Sequence, residues 1–67
     1  MSGPEDTRRR VREAAASLFA ARGFHPTTLR DIAAHAGVNL ASAHYHFGSK
    51  RDLYLEVLRF YFAEVRH

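Results

Sequence analysis

The chain has 67 residues, 46% of them hydrophobic, no cysteine and a formal net charge of +3. That length permits one small domain, which buries only about 60% of the surface its unfolded form would expose. Disulfides and thiolate sites are excluded, and no apolar run approaches the roughly 20 residues of a membrane span.

The opening residues, MSGPEDTRRR, lack the apolar stretch of a secretory signal, and residues 1–6 read as a flexible lead. From about Asp6 to Arg22, Val11, Ala14, Ala15, Leu18 and Phe19 recur at helical spacing and predict an amphipathic helix. Glu5 and Asp6 suit the positive end of its dipole, and Gly23 suits its stop. GFHPTT is a loop, with Pro26 disfavouring helix just before it. A second helix follows in TTLRDIAAHAG, opened by Thr28 and Asp31 as a capping box and closed by Gly37. Leu29, Ile32, Ala33 and Ala36 share one face. Asn39 is a good N-cap for a third helix running to about His46 and stopped by Gly48. Two short helices joined by Gly37, Val38 and Asn39 are the pattern of a helix-turn-helix. Ser49 and Asp52 form a second capping box, and the fourth helix then runs to the last residue. Its apolar residues cover an arc of about 220°, well beyond the stripe a surface helix needs. The expectation is a domain cut from a longer protein whose remainder buries Tyr61, Phe62 and Val65.

The third helix has an unusual outward face. Ala43 and Phe47 point one way and, with Val38, can meet Leu29 and Ile32. Ala41, Ser42 and Tyr45 fall opposite, while Leu40 and His44 lie at the boundary. Small residues let a surface approach closely, and Ser and Tyr carry hydrogen-bonding tips. A DNA major groove admits a helix and offers donors, acceptors and thymine methyls. Lys50, in the first turn of the next helix, adds a phosphate anchor. Arg8, Arg9, Arg10 and Arg12 crowd one point of the chain and Lys50 and Arg51 another, which suits a phosphate backbone touched at both ends. On charge alone, solvated helix surface is the better reading. The alternative for the rings is semi-buried packing with wet tips.

The run TTLRDIAAHAGVNLASAHYHFGSKRDLY resembles the N-terminal domain of the TetR/AcrR family of transcriptional regulators. The residues that carry the likeness are Thr27, Thr28, Ile32, Ala33, Ala36, Gly37, Val38, His46, Phe47, Ser49, Lys50 and Leu53. It covers the chain from about residue 8 onward. Ala43 and His44 depart from it, standing where the family carries a larger apolar residue and an aromatic one. The resemblance implies an all-α fold, a homeodomain-like three-helix bundle plus the start of a long fourth helix. It implies a DNA-binding domain over 7–52 and a linking helix over 53–67 toward an absent ligand-binding and dimerisation domain. It implies that Leu40, Ala41, Ser42, His44 and Tyr45 face the groove. Thr28, His46 and Lys50 match phosphate contacts, and Arg30 matches a position that reaches a base. The implied protein is a ligand-released repressor, homodimeric on a palindromic duplex operator, with a small-molecule effector in the absent domain. It would be cytoplasmic and nucleoid-associated, with no membrane partner.

Two other classes compete. The spare apolar arc of the fourth helix would suit a helical protein-interaction module. An enzyme is not expected: Ser42 and His44 diverge on a helix and form no dyad. His25, His35, His44, His46 and His67 contain no i, i+4 pair, so neither a metal site nor a cofactor is expected.

Overall fold

Four helices in chain order build the protein: α1 (Pro4–Arg22), α2 (Leu29–Ala36), α3 (Leu40–Phe47) and α4 (Lys50–Val65). The structure, a computed structural model, describes residues 3–65, with side chains as far as residue 62. Among the described residues there is no strand, and no helix is long and apolar enough to cross a membrane.

α1 starts at Pro4, so residues 4–6 are helical where a flexible lead was expected. Proline suits the first turn because its missing N–H would be unpaired there in any case. Glu5 and Asp6 in the same turn meet the positive dipole end. The predicted stripe Val11, Ala14, Ala15, Leu18 and Phe19 is buried throughout. It faces Leu29, Ile32 and Ala33 of α2, Ala43 and Phe47 of α3, and Leu53 and Val57 of α4. α1 packs chiefly on α2 and α4, and α3 lies against α2. Leu53 and Val57 are core residues, so the first two turns of α4 belong to the bundle. The boundary expected after residue 52 therefore falls inside a packed helix.

Both capping boxes form. Asp31 N–H donates to Thr28 Oγ1 at 3.0 Å and Thr28 N–H donates to Asp31 Oδ2 at 3.1 Å. Asp52 N–H donates to Ser49 Oγ at 3.1 Å, with a looser return bond of 3.5 Å. Ser42 N–H donates to Asn39 Oδ1 at 2.8 Å, which starts α3.

The N-terminal arginines depart from expectation. The last carbonyls of a helix have no partner within it, and short helices leave a large share of their backbone in that state. Arg10 Nη2 donates to Ala36 O at 2.8 Å and Gly37 O at 3.4 Å, covering the end of α2. Arg8 Nη1 donates to His46 O at 3.0 Å in the last turn of α3. Its guanidinium also lies 4.6 Å from the Phe47 ring and 3.7 Å from Glu56. Arg12 stacks over Phe60 at 3.9 Å, and Arg9 pairs with Asp6 and Glu13. Arg8, Arg10 and Arg12 thus tie α1 to the other helices, and Arg9 is paired within α1, so the four do not form a free phosphate clamp.

On α4, Leu55, Phe60, Tyr61 and Phe62 are exposed. No described residue buries Tyr61 or Phe62, and the side chain of Val65 lies outside the described residues.

The corner between α2 and α3 depends on Gly37 twice. Its φ of +75° is left-handed, which costs a side chain about 1–2 kcal/mol. A Cβ there would also lie 2.9 Å from Arg10 Nη2. Gly37→Ala is expected to lower unfolding free energy by about 1–2 kcal/mol, read as a fall in urea midpoint at constant slope. In an Arg10→Met background the same change should cost less, because the crowded guanidinium is gone, and a double-mutant cycle measures the difference.

Candidate nucleic-acid interface

The outward face of α3 is built by what α3 buries. Ala43 and Phe47 enter the core, and one helical turn separates them, so the opposite face presents Ala41 and Tyr45. Tyr45 is 85% exposed, the most open large ring described. Its hydroxyl makes no hydrogen bond among the described residues. Its ring is not loose, because it meets the His46 imidazole edge-on with centroids 5.2 Å apart. Ala41 is exposed beside it and Ser42 is half-buried on the flank. An exposed ring costs free energy in water, so its position facing away from the core is the strongest local sign of a surface built to be covered.

Other expected contacts sort differently. Leu40 is half-buried and packs against the core. Only part of its side chain is therefore left open toward a groove, because a residue at the boundary of the apolar arc leans on a hydrophobic surface within reach. His44 is exposed, and its Nδ1 lies 2.8 Å from Gly48 O just past the end of α3. His46 is half-buried and gives its carbonyl to Arg8, while its ring makes no hydrogen bond among the described residues. Thr28 is exposed at the start of α2, with its oxygen engaged by Asp31 N–H. Arg30 is exposed on α2 and has no ion pair or hydrogen bond among the described residues.

Lys50 is not the free anchor expected of it. Its Nζ donates to Phe24 O at 2.8 Å and His25 O at 3.4 Å and sits 4.0 Å from the Phe24 ring centroid. Phe24 in turn stacks on Phe19 and meets Tyr54 edge-on. The ammonium ties the α1–α2 loop to the start of α4, because the loop carbonyls there have no helical partner and a flexible cation reaches them. At most one of its three protons remains for a phosphate.

Asn39 and Arg51 were not singled out as site residues, although the charge pattern pairs Arg51 with Lys50. Asn39 fixes where α3 begins and is itself exposed; its cap signature was read only as a helix start. Arg51, in the first turn of α4, is exposed without an ion pair or hydrogen bond among the described residues. The sequence carries no signal that separates it from Lys50, since both are cations at the same helix start.

Residues 11–57, well over half of the chain, match the family model described as bacterial regulatory proteins, tetR family. The chain belongs to the tetR family. That family is one of bacterial regulatory proteins, and its helix-turn-helix domain agrees with the all-α architecture described above. It is 45% identical over 58 residues to the HTH-type transcriptional repressor KstR2 of Rhodococcus jostii, covering 87% of this chain and 28% of that protein. It is 47% identical over 51 residues to the dual regulator CecR of Shigella flexneri, covering 76% and 22%. With the transcriptional activator FasR of Mycolicibacterium smegmatis it shares 42% over 57 residues, covering 84% and 26%. The chain thus spans less than a third of the length of these curated relatives. No solved structure matches it significantly.

The tie made by Lys50 predicts that Lys50→Met lowers thermal stability of the DNA-free protein by about 1 kcal/mol; a lysine that only touched phosphate would leave the melt unchanged. The start of α2 is acid-sensitive. The Thr28 N–H bond, with help from Arg22, holds the Asp31 carboxyl below its usual value of 3.8. A lowered folded-state value means that Asp31 stabilises the fold above about pH 4 and that this contribution fades as pH falls through the lowered value. Asp31→Asn should therefore melt below the parent at pH 7, with the gap closing as pH falls through the lowered value.

Proposed function

We propose that the protein reads a specific duplex DNA sequence by laying α3 in the major groove, as the reader domain of a ligand-released repressor. The observation that carries this reading is the solvent-facing pair Ala41 and Tyr45 on a helix whose position is fixed from behind. A small residue beside an open aromatic lets a groove wall approach and then be contacted by a ring and a hydroxyl. Ser42 and His44 flank that pair and reach base edges or sugar-phosphate on either side. Thr28, Arg30 and His46 serve as positioning contacts to the backbone or to a base at the edge of the site. Arg51 joins them as an unpaired cation.

The remaining assignments follow from the same frame. The relatives named above are regulators of both signs, and the repressor name supports repression here. The protein acts in the cytoplasm as a homodimer on a palindromic operator, with recognition helices about one DNA turn, roughly 34 Å, apart. A C-terminal domain reached through α4 supplies the dimer surface and the effector pocket. The exposed Phe60, Tyr61 and Phe62 support this, since several large apolar side chains left open around one helical turn are a surface that partner elements cover. A helical interaction module in its own right would use the same face and would bind its partner without DNA.

Fluorescence anisotropy of a labelled operator tests the reading. Tyr45→Ala and Arg30→Ala are each expected to weaken operator binding about tenfold at low salt without lowering the melting temperature. Arg30→Ala should also reduce the salt slope by about one if its contact is to phosphate. Unchanged affinity in both variants would rule out α3 and α2 as the reading surface.

A further inference from the structure

His44 has one nitrogen already committed. Its Nδ1 lies 2.8 Å from Gly48 O. A backbone carbonyl only accepts hydrogen bonds, so this contact requires the proton of the neutral ring to sit on Nδ1. The other nitrogen, Nε2, is then a bare lone pair. It belongs to an exposed side chain on the flank of the Ala41–Tyr45 face. Ala41 lies one turn before it, the i, i+3 neighbour, and its methyl leaves the space in front of the ring open.

The tautomer decides what His44 can read. In the major groove guanine offers only acceptors, N7 and O6, and thymine offers the O4 acceptor and a methyl. A phosphate offers acceptors alone. None of these can bond a ring that presents a lone pair. Cytosine N4 and adenine N6 are amines and can donate to it. The neighbouring Tyr45 hydroxyl can donate or accept and so cannot discriminate in this way. We infer that His44 is a specificity residue that selects an exocyclic amine, on cytosine or adenine, through an Nε2 that the Nδ1–H bond to the Gly48 carbonyl leaves as the acceptor of the neutral ring. The inference rests on the DNA-reading role proposed above. It replaces the expectation of a generic groove contact at this position with a defined hydrogen-bond polarity.

Two measurements test it. In the DNA-free protein, 15N NMR of the imidazole should place the His44 proton on Nδ1; a proton on Nε2 would overturn the inference without any DNA experiment. Selection from random duplexes by the parent protein and by His44→Ala should then give operators that differ at one position of each half-site. The parent prefers cytosine or adenine there and the variant shows no preference. Replacing that base with pyrimidin-2-one or purine, which lack the amine, should weaken the parent about tenfold and leave His44→Ala unaffected. His44→Arg, which can only donate, should move the preference to guanine and gives an independent reading if the alanine variant folds poorly. A guanine or thymine preference lost in His44→Ala, or base preferences identical in all three proteins, would sink the inference alone. If the parent selects no duplex at all, the DNA-reading role fails and this inference fails with it.

Discussion

Helix ends are the constraint on which this small bundle depends. α2 and α3 are two turns long, so much of their backbone consists of terminal carbonyls that no helix can satisfy. The chain meets that demand with side chains from distant elements. Arg10 covers the end of α2, Arg8 the last turn of α3, and Lys50 the loop that leaves α1. Thr27, fully buried, donates to Gly23 O at 2.8 Å for the same reason. Each bond involves a charged or buried donor, the class worth more than an ordinary surface contact. Arg8 and Arg10 thereby tie α3 and the end of α2 to α1, and Lys50 and Thr27 hold the loop between α1 and α2, with no disulfide to do so.

This division of labour explains the outward chemistry of α3. The cations that the charge pattern offers to a polyanion are largely turned inward. The face left to meet a ligand is consequently poor in charge and rich in shape: Ala41, Ser42, His44 and Tyr45. Charge for a phosphate backbone remains in Arg30 and Arg51, which stand to either side of α3 in the chain and have no partner among the described residues. Such an arrangement favours discrimination over bulk electrostatic attraction, because base edges are read by geometry and hydrogen-bond polarity while phosphates are read by charge alone.

The aromatic cluster adds a second link between fold and face. Phe19, Phe24 and Tyr54 meet one another at ring distances of 4.8–5.7 Å and join α1, the following loop and α4. Lys50 rests on Phe24, so the loop that presents Thr28 is anchored to the helix that follows α3. α4 is also the element that leaves Tyr61 and Phe62 exposed, and Arg12 of α1 stacks on its Phe60.

What the sequence by itself determined is whatever depends on neighbours three or four residues apart. Helix stripes, both capping boxes, the Asn39 cap, the Gly37 corner and the outward phase of Tyr45 are all of that kind, and the proposed reading face could be drawn from them. Leu40 could not be placed, because it stands at the edge of the apolar arc and only the proximity of the core decides which way it turns. The tertiary structure alone decided the fate of the cations. Arg8 and His46 are 38 residues apart, and Arg10 and Lys50 each reach a carbonyl 26 residues away. A guanidinium on a helix surface looks the same in sequence whether it faces water, a phosphate or an unpaired carbonyl, and it is the packing of one helix end against another side chain that separates the three.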